Sequence, residues 1–99
     1  MSEIKGFKST LDKMYEIQKK KNTDYSGEAD PFKSFKVCHS LGIATVEQGM
    51  LVRITDKISR LSTLLDKKET AIDDERIEDT LIDLANYAVI MKCWLEAKK

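Results

Sequence analysis

Glu75, Asp79, Asp83 and Asn86 recur at spacings of three and four residues. On a helix that spacing gathers them within about 80° of arc, on one side. Carboxylates stacked at i,i+4 with no Lys or Arg in the row repel one another. Holding them in a partly dry place is costly unless a cation neutralises them. All-oxygen donors with an amide alongside suit Mg²⁺, with Mn²⁺ as an alternative, better than zinc. The row is expected to face protein, because Ile82, Val89, Ile90 and Cys93 continue or flank the same side.

A second cluster carries the complementary charge. Arg53, Asp56, Lys57 and Arg60 fall together on one helix face. If this helix packs antiparallel to the one bearing the acids, Asp56 joins the acidic row and the three cations ring it. Carboxylates holding a divalent ion beside a basic cluster are what polyphosphate chemistry needs, since metal and cations share the developing charge. The plainer alternative is a set of ion pairs between helices, each worth a few tenths of a kcal/mol.

Weaker signals surround these two. Lys21, Asn22, Asp24 and Tyr25 could contact phosphate, sugar and base from a loop, or could simply make a turn. His39 beside Cys38 has no evident metal partners, and Trp94 suits a packing or subunit anchor. No Gly-rich phosphate loop and no Ser/His/Asp set is present, so nucleophilic catalysis has no support.

The elements that must position these residues are helices. Ile4, Phe7, Leu11, Met14 and Tyr15 follow the helical period and predict a first helix from about residue 3 to Lys21, with the basic run Lys19-Lys20-Lys21 at its exit. Residues 22–31 are turn-rich. A short helix enters at Pro31, carries Phe32, Phe35 and Val37, and ends by Gly42. Thr45 with Gln48 forms a capping box that opens a long helix reaching about Lys67. After a polar turn over 66–72, Asp73 or Asp74 caps a last helix running nearly to the C-terminus. Leu51, Ile54, Ile58, Leu61 and Leu65 read as the core stripe of the third helix, and Ile77, Leu81, Leu84, Ala88, Met91 and Leu95 as that of the fourth. The expected fold is therefore all-α, four helices of which two are long and antiparallel, in one domain spanning residues 1–99.

Composition bounds the remaining possibilities. Seventeen basic against seventeen acidic residues give a net charge of zero, which argues against nonspecific nucleic-acid binding. An apolar content of 41% supplies a core and rules out a disordered charged tail. One Pro and four Gly favour long helices over a many-turned β fold. Two cysteines make no disulfide framework, and no apolar run approaches the length of a bilayer span. A soluble, intracellular protein with reduced thiols, without membrane or polymeric nucleic-acid partners, is expected.

At the chemistry-bearing residues the chain resembles a known family. Lys21-Asn22-x-Asp24-Tyr25, Arg53-x-x-Asp56-Lys57-x-x-Arg60-Leu61 and Asp74-Glu75-x-x-x-Asp79-Thr80-Leu81-x-Asp83-Leu84-Ala85-Asn86-Tyr87 look like the phage and bacterial nucleotide-modification-associated helical domain. That domain is similar in turn to the all-α nucleoside triphosphate pyrophosphohydrolases, the MazG-like and dimeric dUTPase-like enzymes. The resemblance covers about residues 19 to 90, and the Asp79–Tyr87 block is its most specific part. It implies a helical bundle completed by oligomerisation, a homodimer or higher assembly. The activity it implies is Mg²⁺-dependent cleavage of a (deoxy)nucleoside triphosphate to monophosphate and pyrophosphate, in the cytoplasm of a bacterium or phage-infected host. The paired glutamates of the MazG pattern are absent from the third helix, where Arg53-Asp56-Lys57-Arg60 stands instead.

On this reading Glu75, Asp79, Asp83 and Asp56 hold the metal. Arg53, Lys57 and Arg60 bind phosphate and work with Asp56 in catalysis, while Lys21, Asn22, Asp24, Tyr25 and Asn86 contact the nucleotide. Two rivals come from other classes: a non-catalytic module that binds nucleotide or docks on a modification enzyme, and a structural bundle whose acids and bases pair across helices. Dimerisation is also expected because a chain this short leaves the apolar circumference of the last helix uncovered.

Overall fold

The computed structural model describes residues 3–25, 30, 32–66 and 74–99, with the backbone alone for 22–25. Four helices account for the regular structure among them: α1 (Phe7–Tyr25), α2 (Lys33–Ser40), α3 (Val46–Asp66) and α4 (Glu75–Ala97). No strand occurs among the described residues, and no helix of the structure is long and apolar enough to cross a membrane.

Local chemistry sets most of the boundaries. Gly6 adopts a φ of 84°, outside the right-handed helical region, so α1 begins at Phe7 and not near residue 3. Its far end corrects the sequence reading too. The backbone of 22–25, expected to turn, continues the helix, which places Lys19-Lys20-Lys21 inside α1 and makes it a third long helix. Helix α2 ends as expected at Gly42. With φ at 70°, this glycine lets its own N–H reach the His39 carbonyl and the Ile43 N–H reach that of Cys38, a Schellman closure. The capping box at the start of α3 is formed in both directions. The Gln48 N–H donates to Thr45 Oγ1 at 3.1 Å, and the Thr45 N–H to Gln48 Oε1 at 2.9 Å. Asp74 caps α4 by accepting from the Arg76 N–H at 2.8 Å. The expectations on Pro31, on the turn after Asp66 and on Asp73 fall outside the described residues.

Helices α3 and α4 pack antiparallel, as their short connection predicts. Glu47 near the start of α3 meets Trp94 near the end of α4, Lys57 meets Asp83, and Arg60 meets Thr80. Helix α1 lies against α4, where Asn86 Nδ2 donates to the Met14 carbonyl at 3.2 Å. Helix α2 lies on α3 and also reaches α4: Phe32 and Trp94 stack edge to face at 5.3 Å, Phe35 and Tyr87 at 6.3 Å. Trp94 is thus a packing anchor, one of the two roles expected for it. Its indole N–H donates to Glu47 at 2.7 Å, and the ammonium groups of Lys36 and Lys98 sit over its ring.

The buried apolar residues are Met14, Val46, Met50, Leu64, Ile77 and Ile82, and Met50 alone is completely enclosed. This corrects the predicted stripes. On α3 Val46, Met50 and Leu64 are buried and Ile54 and Leu61 half-buried, while Leu51, Ile58 and Leu65 are each more than half exposed. The buried face is therefore rotated by about 60° from the predicted one, toward the cationic flank. On α4, Ile77 is buried and Leu84 and Met91 are half-buried, but Leu81, Ala88 and Leu95 are exposed. Thr80 is buried instead. Its hydroxyl donates to the Arg76 carbonyl at 2.6 Å and accepts from Arg60 Nε at 3.3 Å, so it stays satisfied inside the interface.

Candidate functional site

The four helices enclose a cleft of about 910 Å³, a size suited to a small-molecule ligand. Each helix contributes residues at helical spacing. Leu11, Met14, Tyr15, Gln18 and Lys21 come from α1, and Ser34, Phe35 and Cys38 from α2. Gly49, Arg53 and Lys57 follow one another at i,i+4 on α3, and Asp83, Asn86, Tyr87 and Ile90 face them from α4. Most of this surface is apolar or aromatic, with charge confined to a few side chains, the usual make-up of a pocket for an organic ligand.

The charged part is built around Asp83. Lys21 Nζ donates to its Oδ1 at 2.8 Å, and Lys57 Nζ lies 3.5 Å from its Oδ2. The carboxylate and Lys57 are each about three-quarters buried, whereas Lys21 is half-exposed. Arg53 lines the cleft one turn before Lys57. Among the described residues, three cations and one carboxylate therefore line the cleft, a local excess of positive charge in a chain whose net charge is zero.

The predicted site residues divide sharply. Lys21, Arg53, Lys57, Asp83 and Asn86 come together in the cleft. Asp56 and Arg60, expected among the catalytic group, stand outside it. One step along a helix turns a side chain by about 100°, which carries Asp56 away from Lys57 and into solvent. Arg60 lies one turn beyond Lys57, where its guanidinium is held by Thr80. Glu75 and Asp79 are exposed and also stand apart from the cleft. Their charge is met from α1: Lys13 donates to Glu78 at 2.9 Å, and that bond, with Asp79 and Glu75 nearby, raises the Lys13 ammonium above its ordinary value. The side chains of Asn22, Asp24 and Tyr25 fall outside the described residues.

These positions bear on the expected metal. Among the described residues, no three His, Cys, Asp or Glu side chains gather closely enough to hold an ion. Asp83, the one acid of the row that lines the cleft, has each of its oxygens facing an ammonium group. As arranged, the described carboxylates do not fit a resident divalent cation, and interhelical ion pairing accounts for Asp83. His39 is exposed, and Cys38 and Cys93 are free thiols.

Several cleft residues were not singled out by sequence. In the sequence Tyr15 and Phe35 read only as positions of the first and second helices and Tyr87 only as the end of the Asp79–Tyr87 block, while Gln18 carries no signal. A joint wheel of all four helices, with Lys21 and Lys57 aligned on Asp83, would have placed them beside the charges.

A chain built this way is an all-α domain with a cationic, aromatic cleft between its helices. It belongs to the nucleotide modification associated domain 1 family, whose model matches residues 21–93, most of the chain. No curated protein and no solved structure matches it.

Proposed function

We propose that the cleft binds a nucleotide, with its phosphates on Lys21, Arg53 and Lys57 and its base among the aromatic side chains of the same cleft. The observation that carries this reading is the arrangement at Asp83, where two lysines share one carboxylate beside an arginine. Asp83 holds Lys21 and Lys57 together against their mutual repulsion. A phosphate group offers the same ammonium groups more charge and more acceptor oxygens, so it displaces the carboxylate as their partner. Arg53 adds a planar fork suited to phosphate oxygens. Tyr15, Phe35 and Tyr87 supply rings against which a base can stack. The family's association with nucleotide modification supports the same ligand class.

Pyrophosphohydrolysis of a nucleoside triphosphate is the more specific reading suggested by the resemblance to the MazG-like enzymes. It calls for carboxylates converging on Mg²⁺ or Mn²⁺, which the described acids do not supply as arranged. We therefore place a non-catalytic nucleotide-binding module first. Its tasks would be to sense a nucleotide or to present one to a partner enzyme.

Titration calorimetry with nucleoside and deoxynucleoside triphosphates, with and without Mg²⁺, tests the choice. Saturable binding without metal is expected. Lys57→Ala should weaken it by about 10- to 100-fold, the loss of one charge-assisted contact. Asp83→Asn should leave it equal or tighter, because the lysines lose their internal competitor. Unchanged affinity in Lys57→Ala would overturn the site. Release of pyrophosphate that requires Mg²⁺ and vanishes in Asp83→Asn would replace the binding module with the hydrolase.

A further inference from the structure

Lys21 and Lys57 converge on one small anion. Each ammonium group faces a different oxygen of Asp83, at 2.8 Å from Oδ1 and 3.5 Å from Oδ2. Two oxygens on one phosphorus are spaced much like two on one carboxyl carbon, so a single phosphoryl group can take both lysines where they stand. A chain of phosphoryl groups would have to draw the lysines apart or reach past them. The next cation past Lys57 on α3 is Arg60, and its guanidinium is turned to the Thr80 hydroxyl at 3.3 Å, outside the cleft.

We infer that the cleft selects a nucleotide with one phosphoryl group, a nucleoside monophosphate, and that Asp83 is the residue that disfavours the triphosphate. This rests on the reading of the cleft as a nucleotide site and narrows its ligand. Charge is the first argument. The Asp83 carboxylate is about three-quarters buried, so it stays beside any phosphoryl group that takes over its lysines. A phosphate monoester carries about 1.5 to 2 negative charges at neutral pH. Together with Asp83 it matches the three cations that line the cleft among the described residues. Each further phosphoryl group adds negative charge that no described lining residue meets, next to a carboxylate that repels it in a partly dry place.

The register of the helices supplies the second argument. Lys57 and Asp83 stand at one level of the antiparallel pair. Arg53 on α3 and Tyr87 on α4 stand one turn further along, a rise of about 6 Å. Tyr87 packs against Phe35 there, ring to ring at 6.3 Å, and both line the cleft. One turn between the lysine grip and the first aromatic rings is room for a sugar, with the phosphoryl group on one side and the base on the other. A polyphosphate does not fit between them.

Titration calorimetry on the full-length chain, in the absence of divalent metal, tests this with the mono-, di- and triphosphates of the common ribo- and deoxyribonucleosides. For the base that binds, the monophosphate is expected to bind at least about 10-fold more tightly than the triphosphate. Asp83→Asn, checked for retained helix by circular dichroism, should tighten the triphosphate more than the monophosphate and close most of that gap. Asp83→Glu, which keeps the charge, should preserve it. The wild-type ranking needs no variant and decides the matter even where Asp83→Asn fails to fold. A triphosphate bound as tightly as its monophosphate overturns the inference and leaves the nucleotide cleft standing. A preference that folded Asp83→Asn retains in full overturns the role given to Asp83. If no nucleotide binds, the reading of the cleft itself fails, and this inference with it.

Discussion

Lys21 reaches from α1 to Asp83 on α4, with its ammonium nitrogen 2.8 Å from the carboxylate. The contact joins residues 62 positions apart on two helices, and Lys57 of α3 completes it from the other side. One carboxylate thereby ties three helices together at the charged part of the cleft. The same contact makes the cations available, because a charge held by a partly exposed ion pair can be exchanged for a stronger anion.

Its contribution to stability should be small. Lys21→Ala is expected to cost no more than about 1 kcal/mol in chemical denaturation, since the lysine is half-exposed and screened by solvent. A loss of several kcal/mol would mean that the pair is a structural keystone and not an exchangeable clasp.

Met50 marks the opposite extreme. Among the described residues it is the completely buried side chain, and Met50→Ala should cost about 2 to 5 kcal/mol through lost burial and the cavity left behind. The midpoint of urea unfolding measures this directly. Leu51→Ala, on the neighbouring exposed stripe, should cost far less.

Thr45→Ala removes one arm of the capping box at the start of α3. A loss of about 1 kcal/mol is expected, together with faster amide exchange at Gln48, whose N–H loses its acceptor.

Acid should release the end of α4 from the start of α3. The ammonium of Lys98, and after it the Trp94 indole N–H, hold the Glu47 carboxyl down at about 2, against an ordinary value of 4.5. A carboxyl lowered in the folded state stabilises the fold fully above its unfolded value, and that contribution disappears as pH falls toward the folded one. Between about pH 4.5 and 2 the wild-type chain should therefore lose stability more steeply than Glu47→Gln. Asp74, lowered to about 2 by the Arg76 guanidinium, supplies a second such loss that both proteins share. Equal slopes for the two proteins over this range would show that Glu47 makes no such contribution.

The fold was legible where the signal is local. The capping box at Thr45 and Gln48, the Asp74 cap and the termination of α2 at Gly42 depend on neighbouring residues alone, and all three are formed. Signals that depend on which helix packs where were less readable. A single-helix wheel sees Leu51, Ile58 and Leu65 as the most regular apolar row, but it cannot tell burial within the chain from burial by something else. Nor can it show that Lys57, a polar residue, turns toward α4 to meet Asp83. The candidate site was half visible for the same reason. Lys21, Arg53, Lys57, Asp83 and Asn86 were identified by type and spacing, whereas Asp56 and Arg60 share their helix face only loosely and part from it in three dimensions. The continuation of α1 through 22–25 went unseen because residues such as Asn22, Thr23 and Asp24 favour turns in isolation, a weak preference that the helix overrides.

Gly49 gives the cleft its gauge. A methyl group placed there would touch Cys38 of α2 at 3.5 and 3.6 Å, ordinary contact distances, so alanine fits without moving α2. The residue that reads in sequence as a slight interruption of a long helix acts in the fold as a spacer of zero thickness. It lets Cys38 of α2 come close to the backbone of α3, so the width of the cleft at this point is set by a side chain the protein does without.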